Sequence, residues 1–264
     1  MIKQKLVDKI RTYGTYRDKG EGRRRVLKDI GFRMGEKAEN VIITGCQQPE
    51  KMPDTFLALK ALLDHLHVDY TLLAKEYCCG WMPLAQPAVM TKNEEDIARA
   101  KDLSRELVQA NCRQAEELGA KSITLFCAAC EPNYSNYKSE TNLELISYPE
   151  LLDRNFQGGK LDLNIDYYAG CHRFRRHITT EPVDLEPVVR VLHKIEGLRV
   201  NCLDNNLCCY IPPHLEQLIP SIKNKTVVTT CTGCYYNLKG KLQAKDGYQV
   251  KMLPVIVLEA LQGH

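Results

Sequence analysis

From residue 41 onward the chain alternates short, β-branched apolar runs with longer segments whose apolar residues recur every three or four positions. The first kind predicts buried strands, the second amphipathic helices. VIITGC (41–46) is followed by the helical DTFLALKALLDHLH (54–67), then by VDYTLLAKEYCC (68–79), SITLFCAAC (122–130) and LELISYPELL (143–152). The order returns in IDYYAGC (165–171), DLEPVVRVLHKI (184–195), LRVNCLDNNLCC (198–209), TVVTTCTGC (226–234) and YQVKMLPVIVLEAL (248–261). Recurrence in the same order marks an internal duplication. The alternation of strand and helix predicts an α/β protein of two pseudo-symmetric lobes, each a small, mostly parallel sheet with flanking helices. The cysteine loops fall at the strand ends, where open α/β sheets build their sites. The lobes are expected at 41–158 and 159–264; a long helical run, 93–119, lengthens the first.

The first 40 residues stand outside the repeat. They carry a net charge of +6 against −3 for the remainder, and the segments LVDKIRTY and RRRVLKDIGFRM predict a basic helical N-terminal extension. It reads either as solvated surface helices or as a docking arm for a partner subunit or an anionic ligand. Interleaved aromatics and nucleic-acid-binding motifs are missing, so no nucleic-acid partner is expected.

Composition changes the picture through cysteine. With 26% charged residues and a mean hydropathy of −0.34, the chain is that of a globular protein. No apolar run is long enough to span a bilayer and MIKQKLVDKI lacks a signal-peptide core, so a cytoplasmic, non-membrane-spanning protein is expected. In a reducing compartment 12 cysteines point to metal or redox chemistry rather than to disulfides.

Ten of the twelve form two matched sets. Cys46, the pair Cys78 and Cys79, and Cys127 with Cys130 make the first. Cys171, the pair Cys208 and Cys209, and Cys231 with Cys234 make the second. Cys112 and Cys202 have no counterpart and read as packing residues. Structural zinc usually takes four ligands from two close knuckles, whereas the CxxC pairs here lie about a hundred residues apart, one per lobe. A thioredoxin-like dithiol would leave six motif cysteines unexplained. Thiolates spread over three loops suit an iron–sulfur cluster of unusual shape, with zinc and the dithiol as the competing readings. Strand-to-helix junctions at the CxxC pairs predict lowered thiol pKa values.

The pattern GC…CCG…CxxC, repeated, resembles the cysteine-rich CCG-domain family, of the kind found in the B-type component of heterodisulfide reductases. The pieces that match are TGC at 44–46, CCGW at 78–81, CAAC at 127–130, GCHRFR at 170–175, CC at 208–209 and CTGCYYNL at 231–238, so the likeness covers about 41–262. The resemblance implies that each five-cysteine set holds a noncubane [4Fe-4S] cluster and that a disulfide is cleaved or formed there. Other relatives pass electrons within larger complexes, so a non-catalytic electron-transfer subunit and a zinc-thiolate scaffold, with zinc in one lobe, stand as alternatives. One departure is plain: the second pair is followed by Tyr210, so CCG becomes CCY, and that site could hold an altered cluster or another metal.

Beside the thiols, His172 follows Cys171 and precedes Arg173, Arg175 and Arg176. It is a candidate proton donor to the thiolates of a cleaved disulfide, with the arginines holding an anionic substrate group; a solvated basic turn is the plainer reading. Trp81, Tyr235 and Tyr236 either screen a cluster or pack in the core. The other histidines read as surface or packing residues. Neither GxGxxG nor a Walker loop occurs. Electrons are therefore expected from a flavin- or ferredoxin-type partner subunit, and the substrate is expected to be a small disulfide or thiol.

Overall fold

A computed structural model describes residues 2–17, 19–170, 184–204, 206–242 and 246–263. The chain divides into two compact units. The described residues of the first are 2–56 and 69–148; those of the second are 57–68, 149–170 and 184–263, with the breaks just given.

The first unit holds strands β1 (Asn40–Ile43), β2 (Tyr70–Leu72), β3 (Ser122–Leu125) and β4 (Glu144–Ser147). The second holds β5 (Gly159–Tyr168), β6 (Ile195–Cys202), β7 (Thr226–Thr229) and β8 (Gln249–Met252). Each set forms an all-parallel sheet, in the order β2-β1-β3-β4 and β6-β5-β7-β8. Because β1 to β4 correspond in sequence to β5 to β8, the two orders are one order repeated. Every residue of β1, β2 and β7 is buried, as a parallel sheet covered on both faces requires.

Helices run between and beside the strands. In the first half they are α1 (Gln4–Tyr13), α2 (Glu21–Ile30), α3 (Gln48–Lys51), α4 (Pro53–His65), α5 (Gln86–Thr91), α6 (Glu94–Glu117) and α7 (Glu131–Ser135). There follow α8 (Tyr148–Asn155), α9 (Glu186–His193), α10 (Pro212–Ser221), α11 (Thr232–Leu242) and α12 (Leu253–Gln262). The long α6 starts where the Asn93 side chain accepts the Asp96 N–H at 2.8 Å, and Glu94, Glu95 and Asp96 complement the positive end of the helix dipole. Among the described residues no helix is long and apolar enough to cross a membrane.

Three features depart from the sequence pattern or were invisible in it. Helix α9 stops at His193 and β6 begins at Ile195, inside the run with helical spacing, because Ile195 and Glu196 pair with Gly159 and Lys160 of an extended β5. Helix α10 was not foreseen, although its opening Pro212-Pro213 is a helix-start signal. Most consequential is the basic extension: Val7 and Ile10 of α1 enter the same apolar cluster as Cys78, Cys79 and Trp81. Arg11 of α1 also makes a two-pronged bond to Glu106 of α6, at 2.8 and 2.6 Å.

Candidate functional site

The strand order explains how distant cysteines meet. Cys46, Cys78–Cys79 and Cys127–Cys130 lie in the loops leaving the C-terminal ends of β1, β2 and β3, three neighbouring parallel strands. Their thiols interact pairwise in one continuous order, Cys46 with Cys78, Cys78 with Cys79, Cys79 with Cys130 and Cys130 with Cys127. All but Cys46 are buried, and Cys46 is half-buried.

The thiols are not equivalent. Cys79 is held well below the usual thiol range because it accepts from Cys130 and Cys78, with further help from the Trp81 N–H and Asn133. Cys78 is pushed up by its contacts with Cys46 and Cys79 and by burial, and Cys130 by Cys127, Cys79 and burial. Cys130 thus runs opposite to the lowered pKa expected at a strand-to-helix junction; the helix that follows has only five residues and its dipole is outweighed by neighbouring thiols and desolvation.

A dense set of hydrogen bonds holds the loops. The Cys79 carbonyl accepts from Ser104 Oγ and Asn133 Nδ2, both at 2.7 Å. Asn111 grips Tyr77 at both its N–H and C=O, each at 2.8 Å, and donates to the Tyr134 hydroxyl at 2.7 Å. Gln48 Nε2 reaches Cys127 Sγ at 3.1 Å, and the Cys78 N–H donates to the carbonyl of Gly14 at 2.8 Å. Gly45 has φ +88°, and a Cβ there would lie 2.9 Å from that of Cys127, so only glycine allows this approach. Trp81 is buried in the apolar cluster around the pair. At the half-buried end, the Tyr16 hydroxyl accepts from Gln47 and is pushed up by burial and then by Cys46.

The second set repeats this plan at the ends of β6 and β7. Cys209 and Cys234 sulfurs are 3.5 Å apart, and Cys234, in contact with Cys209 and Cys231, is pushed well up by them and by burial. Gly170, the counterpart of Gly45, has φ +91°, and a Cβ on it would meet Cys234 Sγ at 3.0 Å. Cys171 and His172, with Arg173, Arg175 and Arg176, lie outside the described residues.

The CCY departure has a structural counterpart. Gly80 takes φ +83° as it leaves the first pair, whereas among the described residues only His67 and Lys92 adopt positive φ without being glycine. Tyr210 therefore leaves the second pair along another path, a turn in which the Ile211 N–H donates to the Cys208 carbonyl at 3.1 Å. Its ring occupies the space above Gly233, where an added Cβ would come within 3.0 Å of it. The first lobe has Gly80 with Ala129 and the second Tyr210 with Gly233, so bulk has been exchanged between the pair and the CxxC. Partial burial and then Cys231, Cys209, Cys234 and Cys208 push the Tyr210 hydroxyl up to about 12.

Sequence reasoning missed His214. It lies on the first turn of α10, and its Nδ1 accepts the Cys208 N–H at 3.1 Å. Its six-residue spacing from Cys208 was the available signal. Cys112 packs in the core as expected, and burial pushes its thiol up to about 11. Cys202 does not: it is exposed at the end of edge strand β6.

The donor set fits an iron–sulfur cluster: five sulfurs from three loops, arranged along a line of neighbours and shielded on most sides. Among the described residues no three His, Cys, Asp or Glu side chains are disposed to hold one metal ion.

The fold and sites define a two-lobed α/β protein with a cysteine cradle at the end of each parallel sheet. Residues 41–133 match the model of the CCG family, a cysteine-rich domain, so the resemblance carried by TGC, CCG and CAAC holds over that segment. The chain is similar to one of the subunits of fumarate reductase (CoM/CoB) from Methanothermobacter marburgensis, 25% identical over 254 residues that cover 88% of this chain and 47% of that protein. It is likewise similar to one of the subunits of dihydromethanophenazine:CoB–CoM heterodisulfide reductase from Methanosarcina acetivorans, 24% identical over 261 residues, 87% of this chain and 60% of that one. The chain thus spans less than two thirds of either relative. A solved aspartate racemase homologue from Pyrococcus horikoshii OT3 aligns with 13% identity and a TM-score of 0.33 over 86% of this chain and 96% of its own, a likeness too slight to carry an argument.

Proposed function

We propose that the chain is an iron–sulfur redox subunit of the heterodisulfide-reductase type. In this reading each five-cysteine set holds a noncubane [4Fe-4S] cluster, and a small disulfide is cleaved or formed beside them. The observation that carries the proposal is the continuous run of five sulfurs from Cys46 to Cys127 at the ends of three adjacent strands. The second set, with Cys171 completing Cys208, Cys209, Cys231 and Cys234, is assigned by the duplication.

When bound, such clusters supply single electrons and iron that a sulfur can approach. The residues of the chain do the rest. Buried Cys78, Cys79, Cys127 and Cys130 anchor the group, while half-buried Cys46 marks the side open to approach. Trp81 and Tyr134 exclude water from the closed side. Cleavage breaks one S–S bond, consumes two electrons and two protons and yields two thiols. His172 is the proposed proton donor, and a flavin- or ferredoxin-type partner subunit the proposed electron source.

The test is turnover. The anaerobically reconstituted chain is assayed with reduced methyl viologen and a panel of small disulfides, alongside Cys79→Ser. Disulfide-dependent oxidation of the viologen, with loss of one of two EPR signals in the variant, supports the reading. Reduction of a protein partner without disulfide turnover would leave an electron relay instead.

A further inference from the structure

The basic N-terminal segment lies outside the cysteine repeat and outside the matched residues 41–133. Its most buried charge nevertheless reaches the first cysteine set. Arg23 on α2 is 8% exposed, while Arg24 and Arg25 beside it are exposed. Its Nη2 donates to Glu76 Oε2 at 2.6 Å and its Nε to Thr44 Oγ1 at 3.2 Å.

Glu76 is 1% exposed and stands two residues before Cys78. Its Oε2 also accepts the Thr44 N–H and Thr44 hydroxyl, both at 2.9 Å, and its Oε1 accepts the Gly45 N–H at 2.8 Å. One carboxylate thus bridges the loop that carries Cys46 to the loop that carries Cys78 and Cys79. Gly45, held by that carboxylate, is the residue that packs on Cys127. The third loop is therefore joined to the same point. Helix α1 closes the arrangement, since the Gly14 carbonyl accepts the Cys78 N–H and no Cβ would fit on Gly14 beside the Glu76 carbonyl.

Among the described residues nothing of this kind is repeated in the second lobe. The position equivalent to Glu76 is Asn206, whose side chain donates to Asp204 and cannot supply a buried charge. Buried carboxyl oxygens need hydrogen-bond partners, and the Arg23 guanidinium supplies one of the four donors that meet Glu76, the only one from outside the Thr44–Gly45 backbone and side chain.

We infer that Arg23 is a positioning residue that acts through Glu76 to set the spacing of the Cys46, Cys78–Cys79 and Cys127 loops, making α1 and α2 a wall of the first site. In its bearing on a bound cluster the inference rests on the function proposed above; the arrangement of the thiols can be read without one.

The experiment uses the 264-residue chain as wild type, Arg23→Gln and Arg25→Gln, the last making the same charge change at an exposed neighbour. In the metal-free reduced chain, alkylation of each cysteine is followed by peptide mass spectrometry. Arg23→Gln is expected to speed labelling of Cys46, Cys78, Cys79 and Cys127 on the order of tenfold, with buried Cys112 and the Arg25→Gln chain unchanged. In the reconstituted chain, Arg23→Gln is expected to lose iron to a chelator roughly 10- to 100-fold more readily at the first site only, read from the EPR signal that Cys79→Ser abolishes. Parallel acceleration at Cys112 would make Arg23 a general stability residue and overturn the inference, as would labelling equal to wild type. Should Arg23→Gln fail to fold, Arg23→Lys, which keeps a charge but not the two-pronged donor, is scored by the same criterion. A wild type that takes up no iron would sink the proposed function, while the labelling comparison would still decide this one.

Discussion

Replacing Gly45 by alanine isolates the closest approach in the first cysteine set. Two costs arise. The backbone at φ +88° is left-handed, which costs a residue with a Cβ about 1–2 kcal/mol. The new methyl group would also stand 2.9 Å from the Cβ of Cys127 and 2.4 Å from the Gln48 amide oxygen. Gln48 can swing away, but only by giving up its 3.1 Å contact with Cys127 Sγ; the Cys127 contact requires the loops to part, an overpacking strain of about 1–3 kcal/mol. Together these give about 2–5 kcal/mol. Gly119, at φ +78° with nothing within 4 Å of its missing Cβ, is the matched control, for which only the backbone cost of about 1–2 kcal/mol applies. Urea unfolding followed by the fluorescence of Trp81, the single tryptophan and a neighbour of Cys79, reads both variants. The Gly45→Ala midpoint should fall by about 1 M or more, and clearly further than that of Gly119→Ala. Equal shifts in the two variants would refute the close packing of the Cys46 loop on Cys127.

Three further expectations follow from the same contacts. Asp166 is fully buried; its Oδ2 accepts the Lys223 and Asn224 N–H groups at 2.9 and 2.5 Å and its Oδ1 accepts from the Asn201 side-chain amide, so Asp166→Asn, whose amide nitrogen must face one of these donors, should cost about 2–3 kcal/mol in urea unfolding followed by far-UV circular dichroism. Cys112, with its thiol pushed up to about 11, should resist iodoacetamide at pH 8 while exposed Cys202 reacts readily; mass spectrometry of the two peptides checks the order. At Asp153, burial raises the carboxyl pKa but hydrogen bonds from Arg190 and Lys194 outweigh it and leave the pKa below its ordinary value. The stabilisation is therefore present above the ordinary carboxylate range and lost as pH falls through the folded-state value. Asp153→Asn should be less stable than wild type by up to about 1 kcal/mol at pH 7, with the gap closing in acid.

What was legible in the sequence was local or repeated. Apolar runs such as Val41–Ile43 and Val227–Val228 announce buried strands because a strand covered on both faces needs no polar alternation. The duplication then gives the second sheet the order of the first, and cysteines placed after strands fall at one end of it. The Arg23–Glu76 contact was illegible, since it joins residues 53 apart and a basic run looks solvated until one of its members is found buried. The Tyr210–Gly233 exchange needed the backbone path, and His214 needed α10, whose proline-rich start obscured the helical spacing. The raised thiol of Cys130 was missed because helix position was weighed without the two neighbouring sulfurs.

Metal and sulfide analysis of the anaerobically purified chain bears most directly on the cysteine sets. Iron and acid-labile sulfide in matched amounts, with two EPR signals of which Cys79→Ser removes one, is the expected result. Stoichiometric zinc without acid-labile sulfide would contradict it.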